Sequence, residues 1–142
     1  METHKTSSKE ETQAVAKDVA RLLCGGTLVC LWGDLGAGKT TFSQGVLAYF
    51  GAEEPYTSPT FVIMKEYTLP KEMNGIKRIY HVDAYRLEVD DIAKIGFEEW
   101  CSDPQGLVLL EWPERVGELL PEKRANIVFR QEDNGRGIEV SL

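Results

Sequence analysis

The feature that most constrains this chain is one octapeptide, Gly33-Asp34-Leu35-Gly36-Ala37-Gly38-Lys39-Thr40. Its pattern, Gly-x-x-x-x-Gly-Lys-[Ser/Thr], would arise by chance in only about one chain in two hundred of this length, given average residue frequencies. A short apolar run at 27–32 precedes it, and a helical pattern over 39–50 follows and stops at Gly51. The order buried strand, glycine-rich loop, helix predicts a phosphate-binding loop rather than a plain glycine-rich turn.

Each part of the octapeptide has a chemical role in such a loop. The glycines let successive N–H groups point at anionic oxygens, at the positive end of the following helix dipole. Lys39 adds a charge that reaches the β and γ phosphates, and the Thr40 hydroxyl suits Mg²⁺, which takes few protein ligands. We therefore expect a nucleotide to be bound by the loop and the start of the helix, at Asp34, Leu35, Gly36, Ala37, Gly38, Lys39, Thr40 and Thr41.

Two carboxylates could complete the site, because a phosphate-binding loop needs a strand-end carboxylate for Mg²⁺ and a polar group to orient the attacking water. Glu111 directly follows the aliphatic run at 107–110, and Asp83 follows the apolar strand pattern at 76–82. Glu111 could instead be a solvent-facing residue, and Asp83 an N-cap or turn residue. The sequence predicts Lys39, Asp83 and Glu111 as catalytic residues, with Thr40 and Glu111 at the metal, and leaves open which carboxylate orients water.

Two further side chains lie close to these carboxylates in sequence. His81 is two residues from Asp83 on the same strand face and could orient it or titrate with it, although a structural role is the commoner case. Trp112 follows Glu111 and precedes Pro113. It is either half-buried core or a lid or docking residue near the nucleotide.

Composition indicates one domain over residues 1–142. A net charge of −7 argues against strong direct binding of tRNA or other nucleic acid. Three cysteines, odd in number and without metal-site spacing, predict buried thiols in a reducing compartment. The polar beginning of the chain and the absence of a membrane-length apolar stretch predict a cytoplasmic protein with no membrane span.

Hydrophobic spacing predicts the remaining elements. Residues 3–8 read as a frayed polar lead, followed by a helix capped by Ser8 and Glu11 that presents Val15, Val19, Leu22 and Leu23 before stopping at Gly25-Gly26. Strands are expected at 27–32, 61–67, 76–82 and 107–110, with a turn at Asn74-Gly75, a broken helical region at 90–100 and a closing hairpin at 125–142 that turns at Asn134-Gly135. This order predicts an α/β fold of the P-loop NTPase type, with a mixed central sheet flanked by helices.

Four sequence blocks together resemble one family. They are Gly33 to Thr41, Ser58-Pro59-Thr60-Phe61, the run His81-Val82-Asp83-Ala84-Tyr85-Arg86-Leu87, and Glu111-Trp112-Pro113. In this order they resemble the TsaE family, the bacterial ATPases of tRNA threonylcarbamoyladenosine synthesis, over nearly the whole chain.

The resemblance implies a function that the residues alone do not. It implies an ATPase that uses ATP and Mg²⁺ and works with the TsaD and TsaB proteins, which modify adenosine 37 of certain tRNAs. ATP hydrolysis would reset that complex, and activity of the isolated chain would be weak. The resemblance also implies that Thr12 and Arg136 contact the nucleotide from the two ends of the chain.

Three other functions would also use a nucleotide-binding site. A GTPase would carry an Asn-Lys-x-Asp motif, which this sequence lacks. A small P-loop kinase would need a substrate pocket and an arginine-bearing lid, for which 142 residues leave little room. A nucleotide-gated binding module with negligible hydrolysis stays open, because the sequence shows the parts of a hydrolytic site but not their assembly.

Overall fold

The computed structural model describes residues 2–34, 38–57, 59 and 63–142. Within them the helices are α1 (Lys9–Ala20), α2 (Lys39–Tyr49), α3 (Val89–Lys94) and α4 (Phe97–Ser102), with 3₁₀ turns at Pro113–Arg115 and Gly117–Leu119. The strands are β1 (Glu2–Thr6), β2 (Thr27–Trp32), β3 (Met64–Met73), β4 (Ile76–Asp83), β5 (Gly106–Glu111), β6 (Ala125–Glu132) and β7 (Gly135–Ser141).

The described strands form one mixed sheet in the order β1-β7-β6-β2-β5-β4-β3. The four central strands, β6, β2, β5 and β4, pair in parallel. The outer strands pair antiparallel, β3 on β4 and β7 and β1 beyond β6. The predicted α/β fold with a part parallel, part antiparallel sheet is confirmed.

Alternation along the central strands divides the core into two layers. On β2, Val29 and Leu31 pack on the side of α1 and α2, whereas Leu28 and Cys30 pack on the side of α3 and α4. All six residues of β5 are buried. A strand covered on both faces needs an unbroken apolar run, which explains the aliphatic sequence at 107–110.

Most of the predicted elements are present. Ser8 caps α1 by accepting from the Glu11 N–H at 3.1 Å, α2 begins at Lys39, and Gly96 at φ 102° separates α3 from α4. Asn74 and Gly75 both have positive φ, 53° and 77°, as a tight hairpin turn between β3 and β4 requires.

Four expectations were wrong in detail. Residues 2–6 are not a frayed lead, because β1 pairs along β7. Helix α1 ends at Ala20, so Leu22 lies beyond it and is 64% exposed. The last hairpin turns at Asp133 and Asn134, between the paired residues Glu132 and Gly135.

The fourth correction concerns the thiols. Cys30 is buried and Cys101 partly buried, and burial raises the pKa of Cys30 to about 12 and that of Cys101 to about 11. Cys24, by contrast, is exposed, since it follows the end of α1 in the turn before β2.

No helix in the described part of the chain is both long and apolar enough to cross a membrane.

Candidate functional site

The two predicted carboxylates, Asp83 and Glu111, and the start of the glycine-rich loop lie at one edge of the sheet, where the parallel strands end. β2 leads into Gly33, β4 ends at Asp83, and β5 ends at Glu111. In the sheet register Glu111 lies beside Asp83 on one neighbour and beside Leu31 on the other. Ligands of parallel α/β sheets bind at this carboxyl edge.

Thr40 and Glu111 are in direct contact. The Thr40 hydroxyl, in the first turn of α2, donates to Glu111 Oε1 at 3.2 Å, and Glu111 is only 3% exposed. A hydroxyl and a carboxylate are hard oxygen donors that suit Mg²⁺, which keeps several of its waters. No cluster of three or more His, Cys, Asp or Glu capable of enclosing a metal occurs among the described residues. A Mg²⁺ ion at Thr40 and Glu111 stays a prediction.

His81 contacts Glu111, whereas one interpretation of the sequence paired it with Asp83. Its Nε2 lies 2.6 Å from Glu111 Oε2 across the β4–β5 pair, and the ring is 1% exposed. His81 Nδ1 is buried without a hydrogen-bond partner among the described residues, which favours the tautomer with the proton on Nε2. The imidazole thus donates to the carboxylate oxygen that Thr40 does not contact.

Asp83 lies beside this group and also shapes the chain that leaves β4. Its Oδ1 accepts from the Tyr85 N–H at 2.9 Å, and the residue is 6% exposed. The turn role and the position next to Glu111 coexist, so the two readings of the sequence are not exclusive.

Lys39 lies at the centre of these groups and is 4% exposed. Its ammonium donates to the Gly33 carbonyl at 2.6 Å and lies 3.5 Å from the centroid of the Trp112 ring. Burial lowers the pKa of Lys39 below its ordinary value, while the carboxylate of Glu111, and less strongly Glu114, act in the opposite direction. Trp112 is therefore part of the site as well as half-buried, as the sequence allowed.

The end of the loop packs against the far end of the chain. Gly38 has φ 106°, and a Cβ there would lie 3.1 Å from Arg136 Nη1. Arg136 on β7 is thereby placed beside the loop, while Asp34 is exposed and Thr41 half-buried. The predicted contacts at Leu35, Gly36 and Ala37 lie outside the described residues.

A cavity of about 560 Å³ adjoins the loop on this side. Its lining combines hydroxyl groups with charged residues from both ends of the chain, namely Thr6, Ser7, Ser8, Lys9, Thr41, Gln131, Glu132, Gly135 and Arg136. Sequence reasoning missed Thr6, Ser7 and Lys9. The signal was weak, because Thr6 is brought beside Arg136 by the pairing of β1 with β7.

Thr12 has a different position from the cavity residues. It is fully buried on α1, and its hydroxyl lies 2.9 Å from that of Thr6, which does line the cavity. A nucleotide contact by Thr12 stays a prediction, while its bond to Thr6 ties α1 to the end of β1.

Comparisons with known proteins identify relatives of this chain. A family model described as "Threonylcarbamoyl adenosine biosynthesis protein TsaE" matches residues 6–138. The chain is 40% identical over 127 residues to a tRNA threonylcarbamoyladenosine biosynthesis protein TsaE from Bacillus subtilis, covering 89% of this chain and 76% of the relative. A protein with the same description from Treponema pallidum is 38% identical over 136 residues, covering 94% and 96%.

The fold has a solved counterpart. A crystal structure of Bacillus subtilis YdiB superposes with a TM-score of 0.78 at 34% sequence identity, covering 98% of this chain and 83% of that one. The family model spans the glycine-rich loop, both strand-end carboxylates and Arg136. The chain belongs to the TsaE family of tRNA threonylcarbamoyladenosine biosynthesis proteins.

Proposed function

We propose that this protein is a Mg²⁺-dependent ATPase that acts with TsaD and TsaB in forming threonylcarbamoyladenosine at adenosine 37 of tRNA. The observation that carries the ATPase part is the contact between Thr40 and Glu111 at the carboxyl edge of the sheet, with Lys39 and Asp83 beside it. Family membership supports the pathway. The partnership and the modified position follow from the resemblance described above.

In this proposal each side chain has a separate task. The Lys39 ammonium binds phosphate, and Thr40 and Glu111 would hold Mg²⁺, which supplies charge neutralisation on the phosphates when bound. His81 keeps the Glu111 carboxylate in place. Asp83 or Glu111 orients the attacking water.

The cavity beside Arg136 supports a nucleotide that extends away from the loop. Its volume of about 560 Å³ is in the range of small-ligand sites. Its hydroxyl and charged lining offers hydrogen bonds to a sugar or base. Adenine is preferred over guanine in the proposal because the guanine-reading motif is missing from the sequence.

The decisive experiment measures phosphate release by the purified chain alone, with TsaD and TsaB added, and with and without substrate tRNA. We expect slow release alone and stimulation by the partners. Lys39→Ala should abolish nucleotide binding, whereas Glu111→Ala should keep ATP affinity and lose turnover.

The alternatives have distinct outcomes in the same experiment. ATP binding that promotes assembly with the partners without phosphate release would indicate a nucleotide-gated binding module. Partners that neither bind nor change the rate would remove the coupled role, although the phosphate site would stand. Unchanged turnover in Lys39→Ala would remove the phosphate assignment itself.

A further inference from the structure

The Lys39 ammonium lies against the face of an aromatic ring at the site where we propose that phosphate binds. The ammonium donates to the Gly33 carbonyl at 2.6 Å and lies 3.5 Å from the centroid of the Trp112 ring, and the Glu111 carboxylate also acts on it. A buried ammonium is costly unless it is compensated, and an aromatic face supplies part of that compensation. The Trp112 ring therefore stabilises the buried charge of Lys39 in addition to filling space.

The backbone at Trp112 is unusual in a way that serves this contact. Trp112 has φ 62° and ψ 51°, the left-handed region that bulky side chains rarely adopt. Such a conformation is unfavourable for a bulky side chain and persists where its surroundings hold it. Here the Trp112 carbonyl accepts from the Arg115 N–H at 3.0 Å in the turn that begins at Pro113.

The ring is held from its side-chain end as well. The Tyr85 ring lies 4.8 Å from Trp112 at an interplanar angle of 50°, and the Arg115 guanidinium lies 5.6 Å from the Tyr85 ring. The indole is thus fixed by a turn of its own backbone and by an aromatic neighbour. The same two features fix its position over Lys39.

We propose that the Trp112 ring and the nucleotide phosphates compete for the Lys39 ammonium, so that the ring sets the affinity of the site. This inference rests on the proposed function, because it takes Lys39 as the phosphate-binding cation. Phosphate oxygens attract an ammonium more strongly than a ring does. Nucleotide binding moves the Lys39 ammonium away from the Trp112 ring. Because the contact with the ring is lost in this step, the nucleotide binds more weakly than it would without the ring.

The competition predicts that removal of the aromatic ring at position 112 strengthens the binding of Mg·ATP. We expect Trp112→Leu to bind Mg·ATP roughly two- to thirtyfold more tightly than the natural chain, from the usual strength of a cation–π contact. Trp112→Phe should fall in between, because Phe is the weaker partner. Both replacements keep a non-glycine residue at the left-handed position, so the backbone cost is matched.

Trp100 provides the control, since its ring stacks on Tyr80 at 6.1 Å and does not contact Lys39. Calorimetric titration of each variant with Mg·ATP should leave Trp100→Phe at the affinity of the natural chain. An affinity of Trp112→Leu that is equal to or weaker than that of the natural chain would overturn the proposal. A weaker affinity would identify Trp112 as a nucleotide contact.

A second measurement does not depend on activity or on affinity. In protein with isotope-labelled lysine, the ring current of Trp112 should shift the ε-methylene protons of Lys39 upfield of the other lysines. Trp112→Leu should abolish that shift, and saturation of the natural chain with Mg·ATP should do the same. Lys39→Arg assigns the resonance by its loss.

The outcomes separate this inference from the proposed function. If Mg·ATP binds while the Lys39 resonance stays upfield, the competition is wrong and the nucleotide site stands. If the resonance is upfield but no nucleotide binds, the contact between Lys39 and Trp112 is confirmed. The proposed function is then wrong, and so is the competition that rests on it. A Lys39 resonance at the ordinary lysine position in nucleotide-free protein would contradict the contact.

Discussion

The imidazole of His81 holds one oxygen of Glu111 at 2.6 Å while the Thr40 hydroxyl holds the other at 3.2 Å. Both donors are fixed by regular structure, His81 by β4 and Thr40 by the first turn of α2. A carboxylate held at both oxygens keeps one orientation, as the Mg²⁺ ligand that we propose Glu111 to be would need. Partners that orient a ligand in this way typically affect metal affinity strongly.

The first prediction concerns His81 as a positioning residue. His81→Leu should raise the Mg²⁺ concentration needed for half-maximal ATP turnover by about ten- to a hundredfold, because Glu111 loses its donor. His81→Gln, which retains an N–H donor, should recover much of this loss. The measurement is a Mg²⁺ titration of phosphate release at fixed ATP, with the partner proteins present if turnover requires them.

Thermal unfolding of the same two variants separates positioning from packing. If the two variants show equal decreases in Mg²⁺ affinity and equal decreases in melting temperature, the imidazole contributes to core packing and does not position Glu111.

The second prediction concerns Arg136, whose guanidinium lies beside Gly38 and lines the cavity next to the loop. Arg136→Ala should weaken ATP binding about tenfold or more, since a hydrogen bond to a charged group contributes about 1.5–3 kcal/mol. Arg130 is the matched control on the preceding strand, because it is exposed and pairs with Glu139 at 3.4 Å. Equal nucleotide affinity in Arg136→Ala and Arg130→Ala would leave Arg136 without a role in binding.

The third prediction concerns acid stability and lies outside the site. Asp103 accepts from Arg78 at 2.8 and 2.9 Å and from the Tyr80 hydroxyl at 2.8 Å, and the hydrogen bonds of Arg78 hold the pKa of that carboxyl well below its usual range. A depressed folded-state pKa adds stability above the unfolded pKa of about 4, and this is lost as pH falls further.

Asp103→Asn should therefore lower the free energy of unfolding by about 2 kcal/mol at pH 7. The difference from the natural chain should shrink as pH falls below about 4. Urea unfolding at pH 7, 5 and 3 measures both effects. A difference that does not change with pH would show that ionisation of Asp103 is not what stabilises the fold.

The strand and helix that flank the octapeptide, the strand before Glu111 and the Asn74-Gly75 turn were predicted from local signals, and all of them are present. Glu111 and Asp83 could be paired from sequence because parallel strands end at the same edge of a sheet. Local sequence could not show that His81 faces Glu111. The contact crosses the β4–β5 pair and depends on register.

Strand β1 and the cavity beside Arg136 were missed by sequence analysis for the same physical reason. Strand β1 has no apolar alternation that identifies it, since its sequence is Glu-Thr-His-Lys-Thr and it lies at the sheet edge. Its pairing with β7 spans almost the whole chain. The cavity formed by Ser7, Lys9 and Arg136 depends on that pairing and was therefore out of reach of sequence alone.

The last prediction tests how closely the helix that carries Lys39 and Thr40 is packed. Gly45 lies where α2 crosses α1, and a Cβ there would come within 2.7 Å of the Ala16 Cβ and 3.0 Å of the Gln13 Cα. Helix propensity alone predicts that Gly45→Ala stabilises the protein by about 1 kcal/mol. Overpacking predicts a loss of about 1–3 kcal/mol.

We expect the cost of overpacking to exceed the gain in helix propensity. Part of what a Cβ would meet is the backbone of α1 at Gln13, which can move away only if the helices separate. Gly45→Ala should lower the free energy of unfolding in urea, and it should weaken Mg·ATP binding by displacing the start of α2. Ala16→Gly in the same chain removes the closer contact and should recover part of the binding. A more stable Gly45→Ala protein with unchanged affinity would show that the helices adjust freely and that their close approach does not position Lys39.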